Sequence, residues 1–544
     1  MLECGMAAMS EEYADFIARG VEISNLTAEQ CYQRISSYYG TVYTPLDTVG
    51  SLQIRKYPYN SIPALYGLLE TDIRVREIDV SDGLDAAGIT RLQNIPTLRL
   101  RGQGCIAAIV DTGINIEDMA FRYTNGATRI LRLWDMTDIT GTPPEGIAYG
   151  SEYSQADIDA ILGNRKREQS NAEDGADASD LLPGHDDYDH GNILAKAFAG
   201  NEGAVPEAYI VVVKLKEAKK YLRRYHGVRD DVPAYQENDI MLAINYVKEL
   251  SRRMNMPVSL CLALGTNSRG HDGSSSLSYI LDSFASTSED IISVAGGAEG
   301  NKQIHSSDEE NVEVRLDERQ KDININIWGR GRNVISVGLT SPTGEVIEPI
   351  PARINSIEER QLLLEGTRVT IEYDLSEGDT GEQLVLIRLR DAIEGIWSIR
   401  IQGMPYYNAY LPLGEFIYEG TYFLRPNPDT TITDPAYSRK SLTAVSYDVT
   451  TGALYVGEGR GYSRLGAIKP DMASPVTVAI LAGAVSQLQN WGIISDISLD
   501  SGDIKSYLIR GSNRDVGNNY PNNQWGYGKL NVYRAFEVLR SGQN

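Results

Sequence analysis

Short apolar runs alternate with amphipathic stretches through the middle of the chain. Four of these runs, residues 105–110 (CIAAIV), 208–215 (AYIVVVKL), 257–264 (PVSLCLAL) and 291–297 (IISVAGG), have the length and composition of buried strands. Residues 232–254 place apolar side chains three to four positions apart, which is the spacing of an amphipathic helix. Repeated strand–helix–strand units predict an α/β fold, a parallel sheet with helices on both faces.

The pattern changes twice along the chain. Residues 307–405 alternate apolar and polar positions between Gly, Pro and Asp turns, which predicts an inserted all-β sandwich of about 100 residues. Residues 1–85 mix short helical and extended patterns and predict a small α+β unit. Residues 86–306 and 406–544 are then the two parts of one α/β core.

Composition narrows the class of partner. The 544 residues include 51 Lys and Arg against 74 Asp and Glu, a net charge of −23, which excludes nucleic acid or an anionic membrane surface as the main partner. No apolar run approaches the roughly 20 residues that span a bilayer, and no secretory signal pattern opens the chain. The four cysteines lack metal-ligand spacing, so we expect free or buried thiols in a reducing compartment.

Two short motifs carry candidate chemistry. Asp111 ends a predicted buried strand and is followed by Thr-Gly, and His190 opens an apolar segment with helical spacing. A carboxylate that orients an imidazole, which in turn moves a nucleophile's proton, makes up two-thirds of an acyl-transfer triad. Taken singly, each residue is more often a turn or capping acid, or a packed histidine.

Together with the surrounding sequence, the motifs resemble the subtilisin-like serine peptidases, and within them the clostridial Csp germination protease group. The matching stretches include RGQGCIAAIVDTGI, TGTPPEGIAYGSEYS, ALGTNSRGHDGSS, GRGYSRLGAIKPD and YPNNQWGYGKLNVYRAF. The resemblance implies a subtilisin core interrupted by a jelly roll, and an N-terminal prodomain that acts as chaperone and inhibitor in the cleft. It implies Asp111 and His190 as charge-relay acid and base, and a cleft edge around Leu264 and Gly265 that pairs with an extended peptide.

The chain departs from this family at the nucleophile. The family has Gly-Thr-Ser-x-Ala before a helix, well beyond a Lys-Pro-Asp motif, whereas here Lys-Pro-Asp runs almost directly into Met-Ala-Ser-Pro and the helix. Counting back from Gly483 puts Pro475 at the nucleophile position, and counting from Met-Ala-Ser-Pro puts Asp471 there. Ser474 is either a displaced nucleophile or a polar helix cap.

Two further departures lie at the same site. Ala298 stands where the family has its oxyanion Asn, and a methyl group offers no donor; loss of that donor in a subtilisin costs about 10²–10³ in turnover. Lys196 stands where the family has Gly on the histidine's helix, and we expect its cation to crowd His190 and disfavour the imidazolium. Three departures at one site predict a pseudoprotease.

Three functions remain open from the sequence. The first is a catalytically inactive subtilisin homologue that binds or regulates a protein or peptide, such as an active relative in spore germination. The second is an active serine endopeptidase that uses Asp111, His190 and Ser474. The third is a ligand-sensing module. The first predicts that the N-terminal unit stays attached, since its removal needs a nucleophile.

The remaining expectations concern cofactors, charge runs and location. No cofactor is expected; calcium in the acidic run of residues 174–189 is the alternative to a solvated loop. The basic run of residues 214–224 is expected to be a solvated helix face. The resemblance implies a cytoplasmic or spore-associated protein.

Overall fold

A computed structural model describes residues 2–20, 26–50, 52, 60–70, 80–171, 182–286, 289–307, 309, 311–330, 334–354, 356–403 and 406–541. The helices are α1 (Leu2–Met9), α2 (Leu46–Val49), α3 (Val80–Ala86), α4 (Ile89–Asn94), α5 (Gln155–Asn171), α6 (His190–Ala199), α7 (Lys220–His226), α8 (Glu237–Met254), α9 (Ser276–Phe284), α10 (Val478–Ser495), α11 (Ser501–Gly511) and α12 (Val532–Ser541).

The strands up to the end of the first core segment are β1 (Tyr13–Arg19), β2 (Cys31–Arg34), β3 (Tyr39–Pro45), β4 (Asn60–Ser61), β5 (Leu65–Leu68), β6 (Ile106–Asp111), β7 (Ile130–Asp135), β8 (Ser151–Ser154), β9 (Tyr209–Lys214), β10 (Tyr235–Gln236), β11 (Val258–Leu262), β12 (Leu264–Gly265) and β13 (Ile291–Ala295). The later strands are β14 (His305–Ser307), β15 (Asn311–Leu316), β16 (Ile323–Gly329), β17 (Ser336–Thr340), β18 (Val346–Ile350), β19 (Ser356–Gln361), β20 (Arg368–Asp374), β21 (Gln383–Arg390), β22 (Gly395–Gln402), β23 (Tyr407–Tyr410), β24 (Tyr422–Phe423), β25 (Leu442–Tyr447) and β26 (Met472–Pro475).

An eight-stranded sheet forms the centre of the fold, in the order β26-β25-β13-β11-β6-β9-β7-β8. Neighbouring strands are parallel except β7 and β8. Successive residues of β6 point to opposite faces: Ile109 lies in a buried cluster with α6 and α10, and Val110 in a second cluster with α8 and α9. Helices cover both faces, so the α/β core predicted from the apolar runs is confirmed.

Two antiparallel sheets pack on each other between residues 305 and 423. One has the order β14-β23-β16-β21-β20-β19 and the other β18-β17-β22-β15-β24. Val314 of β15 and Ile325 of β16, from different sheets, share one buried cluster with Trp397, so the inner faces form a core. The all-β insertion is confirmed; its jelly-roll topology and the predicted segment boundaries stay predictions.

The N-terminal unit is a four-stranded antiparallel sheet, β2-β3-β1-β4, with α1 beside it. Ile17 and Tyr43 of this sheet share a buried cluster with Ile240 of α8. Burial of apolar surface at this contact stabilises the docked arrangement. The unit therefore packs on the helices of the core and does not stand apart from it.

The cysteines differ from the sequence-based expectation. Cys4 of α1 and Cys31 of β2 form a disulfide, whereas Cys105 and Cys261 are free and buried. The expectation of four thiols is therefore wrong for the first pair. Spacing along the chain did not reveal it, because only the packing of α1 against the sheet brings the two residues together.

The expectation of a solvated basic helix face at residues 214–224 holds for Lys220 and Arg224, which are exposed, and is wrong for the lysines before the helix. Lys216 and Lys219 precede α7 and are buried. The Nζ of Lys216 lies 2.7 Å from Oδ2 of Asp239, and the Nζ of Lys219 lies 2.6 Å from Oδ1 of Asp15. Since Asp15 belongs to β1, the second pair joins the N-terminal unit to the core through buried, paired charges.

Candidate active site

Asp111 and His190 meet at the edge of the central sheet where its parallel strands end. Asp111 is the last residue of β6 and His190 the first of α6, and Oδ1 of Asp111 lies 2.7 Å from Nδ1 of His190. The Gly191 amide donates to the Thr112 hydroxyl, which donates to the same Oδ1. A Cβ on Gly191 would lie 2.4 Å from the Gly113 carbonyl oxygen, so glycine permits this close approach.

Both ring nitrogens of His190 face acceptors. Nδ1 meets the Asp111 carboxylate, and Nε2 lies 2.6 Å from the Leu69 carbonyl oxygen. A carbonyl oxygen can only accept, so each nitrogen carries a hydrogen and the ring is an imidazolium. Burial lowers the pKa of His190, but Asp111, the Leu69 carbonyl and Glu70 outweigh it and raise the pKa from 6.5 to about 9.

The Leu69 carbonyl reaches His190 because the segment before it is built into a sheet. β5 lies between β10 and β12, and its antiparallel register with β12 pairs Leu68 with Leu264 and Gly67 with Gly265. The pairing continues past the strand, where the Leu69 amide donates to the Ala263 carbonyl at 2.8 Å. The backbone around Leu264 and Gly265 therefore pairs with an extended segment of the chain itself.

Glu70, the next residue, places its carboxylate at the start of α10. The Thr477 hydroxyl donates to it at 2.6 Å, and the Ser446 hydroxyl at 3.1 Å. The Val478 amide, the first of the helix, lies 3.1 and 3.2 Å from the two carboxylate oxygens. Burial raises the pKa of the Glu70 carboxyl, while these donors oppose the rise. Glu70 thus caps an 18-residue helix from outside it.

The segment before α10 is a strand followed by a very short turn. Ser474 lies in β26 opposite Ser446 of β25, is fully buried, and donates its hydroxyl to the Thr477 carbonyl at 2.8 Å. Pro475 ends the strand. Only Val476 and Thr477 separate it from α10, and Val476 adopts a φ of 64°, a strained value for a β-branched residue. The helix N-cap is Thr477.

Asp471 lies at the opposite end of this strand from the turn. It precedes β26, and its carboxylate is buried between Lys469, at 2.9 Å, and Lys505, at 2.7 Å. These cations lower the pKa of Asp471 against the opposing effect of burial. Of the three positions to which the sequence assigned the nucleophile, Asp471 is thus in an ion cluster, and Ser474 and Pro475 are in a sheet strand.

The two remaining predicted departures have different outcomes. Ala298 is exposed and follows β13, and its methyl group can donate no hydrogen bond. The expectation that Lys196 crowds His190 is wrong. Its side chain is 45% exposed and its Nζ lies 2.6 Å from Asp118, because six residues along α6 rotate it away from the histidine.

Neither a metal site nor a membrane span occurs among the residues that the structure describes. No group of three or more His, Cys, Asp or Glu side chains there is arranged to hold a metal ion, and no helix is long and apolar enough to cross a bilayer. Of the acidic run proposed for calcium, residues 174–181 lie outside the described part of the chain.

The sequence analysis missed Glu70 and Thr477. Glu70 directly follows the apolar run of residues 64–69, and Thr477 directly precedes the apolar helix, so both stand at visible boundaries. A capping threonine is recognisable from its position. The acid that binds it is not, because 407 positions separate the two residues.

Comparison with known proteins relates this geometry to a fold. The CspB protease of Clostridium perfringens superposes with a TM-score of 0.74 at 24% identity, over 85% of this chain and 98% of that one. The chain has a subtilisin-like fold. The EpiP protease of Staphylococcus aureus gives 0.44 at 10% identity, over 97% and 99% of the two chains. MycP1 of Mycobacterium smegmatis gives 0.36 at 11%, over 87% and 88%. No protein-family model and no curated protein matches the sequence.

Proposed function

We propose that this chain is a subtilisin-family serine peptidase homologue without peptidase activity, which keeps its N-terminal unit and binds or regulates a protein partner. The observation that carries the proposal is the placement of the Leu69–Glu70 segment. Its carbonyl accepts from His190 and its carboxylate accepts from the start of α10. One continuous stretch of chain thus bridges the two sides on which a hydrolase needs its base and its nucleophile.

The protonation of His190 supports inactivity. A general base must accept a proton from the nucleophile, which requires a neutral ring with a free lone pair. The ring between Asp111 and the Leu69 carbonyl has hydrogens on both nitrogens and a pKa of about 9. At neutral pH it is an acid already in its charged form, and it has no capacity to activate a hydroxyl.

The hydroxyl groups around α10 support the same conclusion. Thr477 and Ser446 both donate to the Glu70 carboxylate, and Ser474 donates to a backbone carbonyl inside the sheet. A nucleophile needs a base within hydrogen-bond reach of its own proton. Each of these hydroxyl groups instead donates its proton in a hydrogen bond to a carboxylate or a backbone carbonyl, and these bonds stabilise the fold.

Retention of the N-terminal unit follows from the same contacts. Removal of the unit would require hydrolysis somewhere before about residue 85, and the buried Lys219–Asp15 pair would hold a severed unit in place. The protein then acts by binding, in the cytoplasm or on the spore, as the resemblance to the germination proteases implies. Membership of the subtilisin family is part of this proposal, which the similarity to the CspB protease in fold supports.

The test is the intact mass of purified protein combined with a fluorophosphonate probe. We expect one unlabelled species at 60.0 kDa. Ser474→Ala is the matched control and should leave both results unchanged. Loss of an N-terminal fragment, together with labelling that disappears in Ser474→Ala, would establish an active enzyme and refute the proposal.

A further inference from the structure

We infer that one end of the inserted β-sandwich is a docking surface for a partner protein that presents an apolar stripe bordered by lysine or arginine. The surface is centred on the leucine pair, Leu363 and Leu364, in the turn between β19 and β20. The inference rests on the proposed function, because it assigns a surface and a partner chemistry to a protein that acts by binding.

The leucine pair is exposed although the residue before it is not. Leu362 is buried in the core of the sandwich. Leu363 is 89% exposed and Leu364 is 73% exposed, which makes them the two most exposed leucines in the described part of the chain. Val346, at the start of β18, is half-exposed beside them. Single exposed apolar side chains need no explanation, whereas a group of them at one place marks an interaction site.

Hydrogen bonds between two hairpins fix the backbone that carries the leucine pair. The carboxylate of Glu345, in the turn between β17 and β18, accepts from the two amides of the pair at 2.9 and 3.1 Å. In return, the hydroxyls of Ser341 and Thr343 donate to the carboxylate of Glu365 in the other turn. The two hairpins belong to different sheets, so these bonds join the sheets at this end. A turn held in this way loses little freedom when a partner binds it.

The charge beside the leucine pair is negative. Residues 341–346 and 362–367 contain Glu345 and Glu365 and no basic residue, and neither glutamate forms an ion pair among the described residues.

The bases at this end of the sandwich each lie beside a different acid. Arg368 lies 2.8 Å from Asp391, Arg400 lies 3.8 Å from Glu348, and Arg315 interacts with Glu394. The two carboxylates next to the leucines therefore keep their charge for a partner.

This charge favours a basic partner over a second copy of the chain. Two copies that met through this surface would bring four carboxylates together, and like charges across an interface oppose binding. Lysine or arginine at the border of an apolar stripe would neutralise the same carboxylates while the stripe buries the leucines. The partner is therefore a different protein with that arrangement on its surface.

The first experiment asks whether the leucine pair binds such a surface. The probe is a fluorescein-labelled peptide, LKKLLKLLKKLLKL, whose helix places leucines on one side and lysines at its borders. Leu363→Ser with Leu364→Ser in the full chain should weaken its binding about tenfold, measured by fluorescence anisotropy.

The matched control for the leucine variant is Ile354→Ser. Ile354 is 79% exposed and lies at the opposite end of β19, about 20 Å away, so this variant should bind the peptide as the wild type does. The net charge of −23 attracts a basic peptide everywhere, so the difference between the variants is the result that counts. Equal affinities of the two variants would overturn the inference.

The melting temperature of the leucine variant provides a second check. Exposed side chains that await a partner contribute nothing to the fold, so the variant should melt as the wild type does. A clear fall in melting temperature would show that the leucines stabilise the sandwich, and it would also overturn the inference.

The second experiment asks whether the charge takes part. Glu365→Gln keeps an oxygen that accepts from Ser341 and Thr343 but removes the charge, and it should weaken binding of the same peptide about threefold. Glu202→Gln removes an equal charge from an exposed position in the core and is the control. Equal affinities of these two variants would refute the basic border of the partner.

Sedimentation velocity at increasing protein concentration tests the choice of partner. The wild type should remain a monomer. A dimer of the wild type that is lost in the leucine variant would overturn this choice and assign the surface to a second copy of the chain.

The outcomes separate this inference from the proposed function. Fluorophosphonate labelling with loss of an N-terminal fragment refutes inactivity, yet it leaves the difference between the leucine variant and Ile354→Ser unaffected. An unlabelled, intact protein in which those two variants bind equally refutes the docking surface alone.

Discussion

The two sides of the candidate active site have opposite relations to the family pattern. On one side, β6 and α6 keep Asp111 and His190 at 2.7 Å, the contact that a charge-relay pair requires. On the other, β26 passes into α10 through Val476 and Thr477, and Glu70 occupies the donors at the helix start. Under the proposed function, an Asp–His pair at this distance does not indicate catalysis, because its ring is protonated and Glu70 occupies the start of α10.

The largest expected change in stability tests the side of the site that holds Asp111 and His190. Asp111→Asn at pH 6 should lower the free energy of unfolding by about 3–5 kcal/mol, because the buried His190 cation loses its counter-charge. Denaturant titration measures the change. The matched control is Asp111→Asn combined with His190→Gln, which removes both charges and should cost less than the single variant. A double variant that is as unstable as the sum of both singles would show that the pair does not interact.

The next prediction is the pH dependence of stability. The pKa of His190 is about 9 in the folded protein against 6.5 unfolded, so folding favours the proton. Its contribution is complete below pH 6.5 and is lost as the pH rises to about 9, by about 3 kcal/mol at most. Unfolding titrations at several pH values should show this decline in the wild type. His190→Gln should show a flatter profile, and an unchanged profile would mean that the ring is neutral.

A smaller change in stability tests the other side of the site, where Glu70 meets the start of α10. Glu70→Gln should reduce stability by about 1–2 kcal/mol, because the α10 cap loses its charge. Glu202→Gln serves as the control, since Glu202 is exposed and its loss should stay within about 0.5 kcal/mol. Thermal unfolding of both variants provides the comparison. Equal melting temperatures would show that the carboxylate contributes nothing to the helix.

The smallest expected change in stability tests whether Lys196 acts on His190. Lys196→Ala should change stability by about 0–1 kcal/mol, since its pair with Asp118 is partly exposed to solvent. The pH profile assigned to His190 should remain as in the wild type. A shift of that profile in Lys196→Ala would restore the idea that this cation acts on the histidine.

The sequence predicted the elements well where local pattern and environment agree. The runs at residues 105–110 and 291–297 became β6 and β13, and the amphipathic stretch became α8. The Met-Ala-Ser-Pro motif was harder, because family registers placed it at a helix start while the structure pairs it with β25. Ser474 is consequently a sheet residue, paired in parallel register with Ser446 of β25, a strand that lies well before it in the chain.

The sequence missed contacts between residues far apart in the chain. The Cys4–Cys31 disulfide, the Lys219–Asp15 pair and the Glu70–Thr477 hydrogen bond each join segments that composition treats separately. The disulfide depends on the packing of α1 against its own sheet, whereas the other two pairs depend on docking of the N-terminal unit on the core, where burial requires that charges be paired. Lys196 shows the converse. Its cation was expected beside His190, but the rotation along α6 places it on the surface.

The sequence by itself determined the α/β core, the inserted β-sandwich, the pairing of Asp111 with His190 and the lack of a donor at Ala298. Apolar periodicity suffices for the core and the sandwich, since it is a property of segments, whereas the pairing of Asp111 with His190 and the position of Ala298 were implied by the resemblance to the subtilisin-like peptidases. Only the tertiary structure decided that His190 is an imidazolium and that Glu70 fills the start of α10. Protonation and site occupancy depend on what lies within hydrogen-bond distance, and Leu69 and Glu70 come from a part of the chain more than one hundred residues from His190.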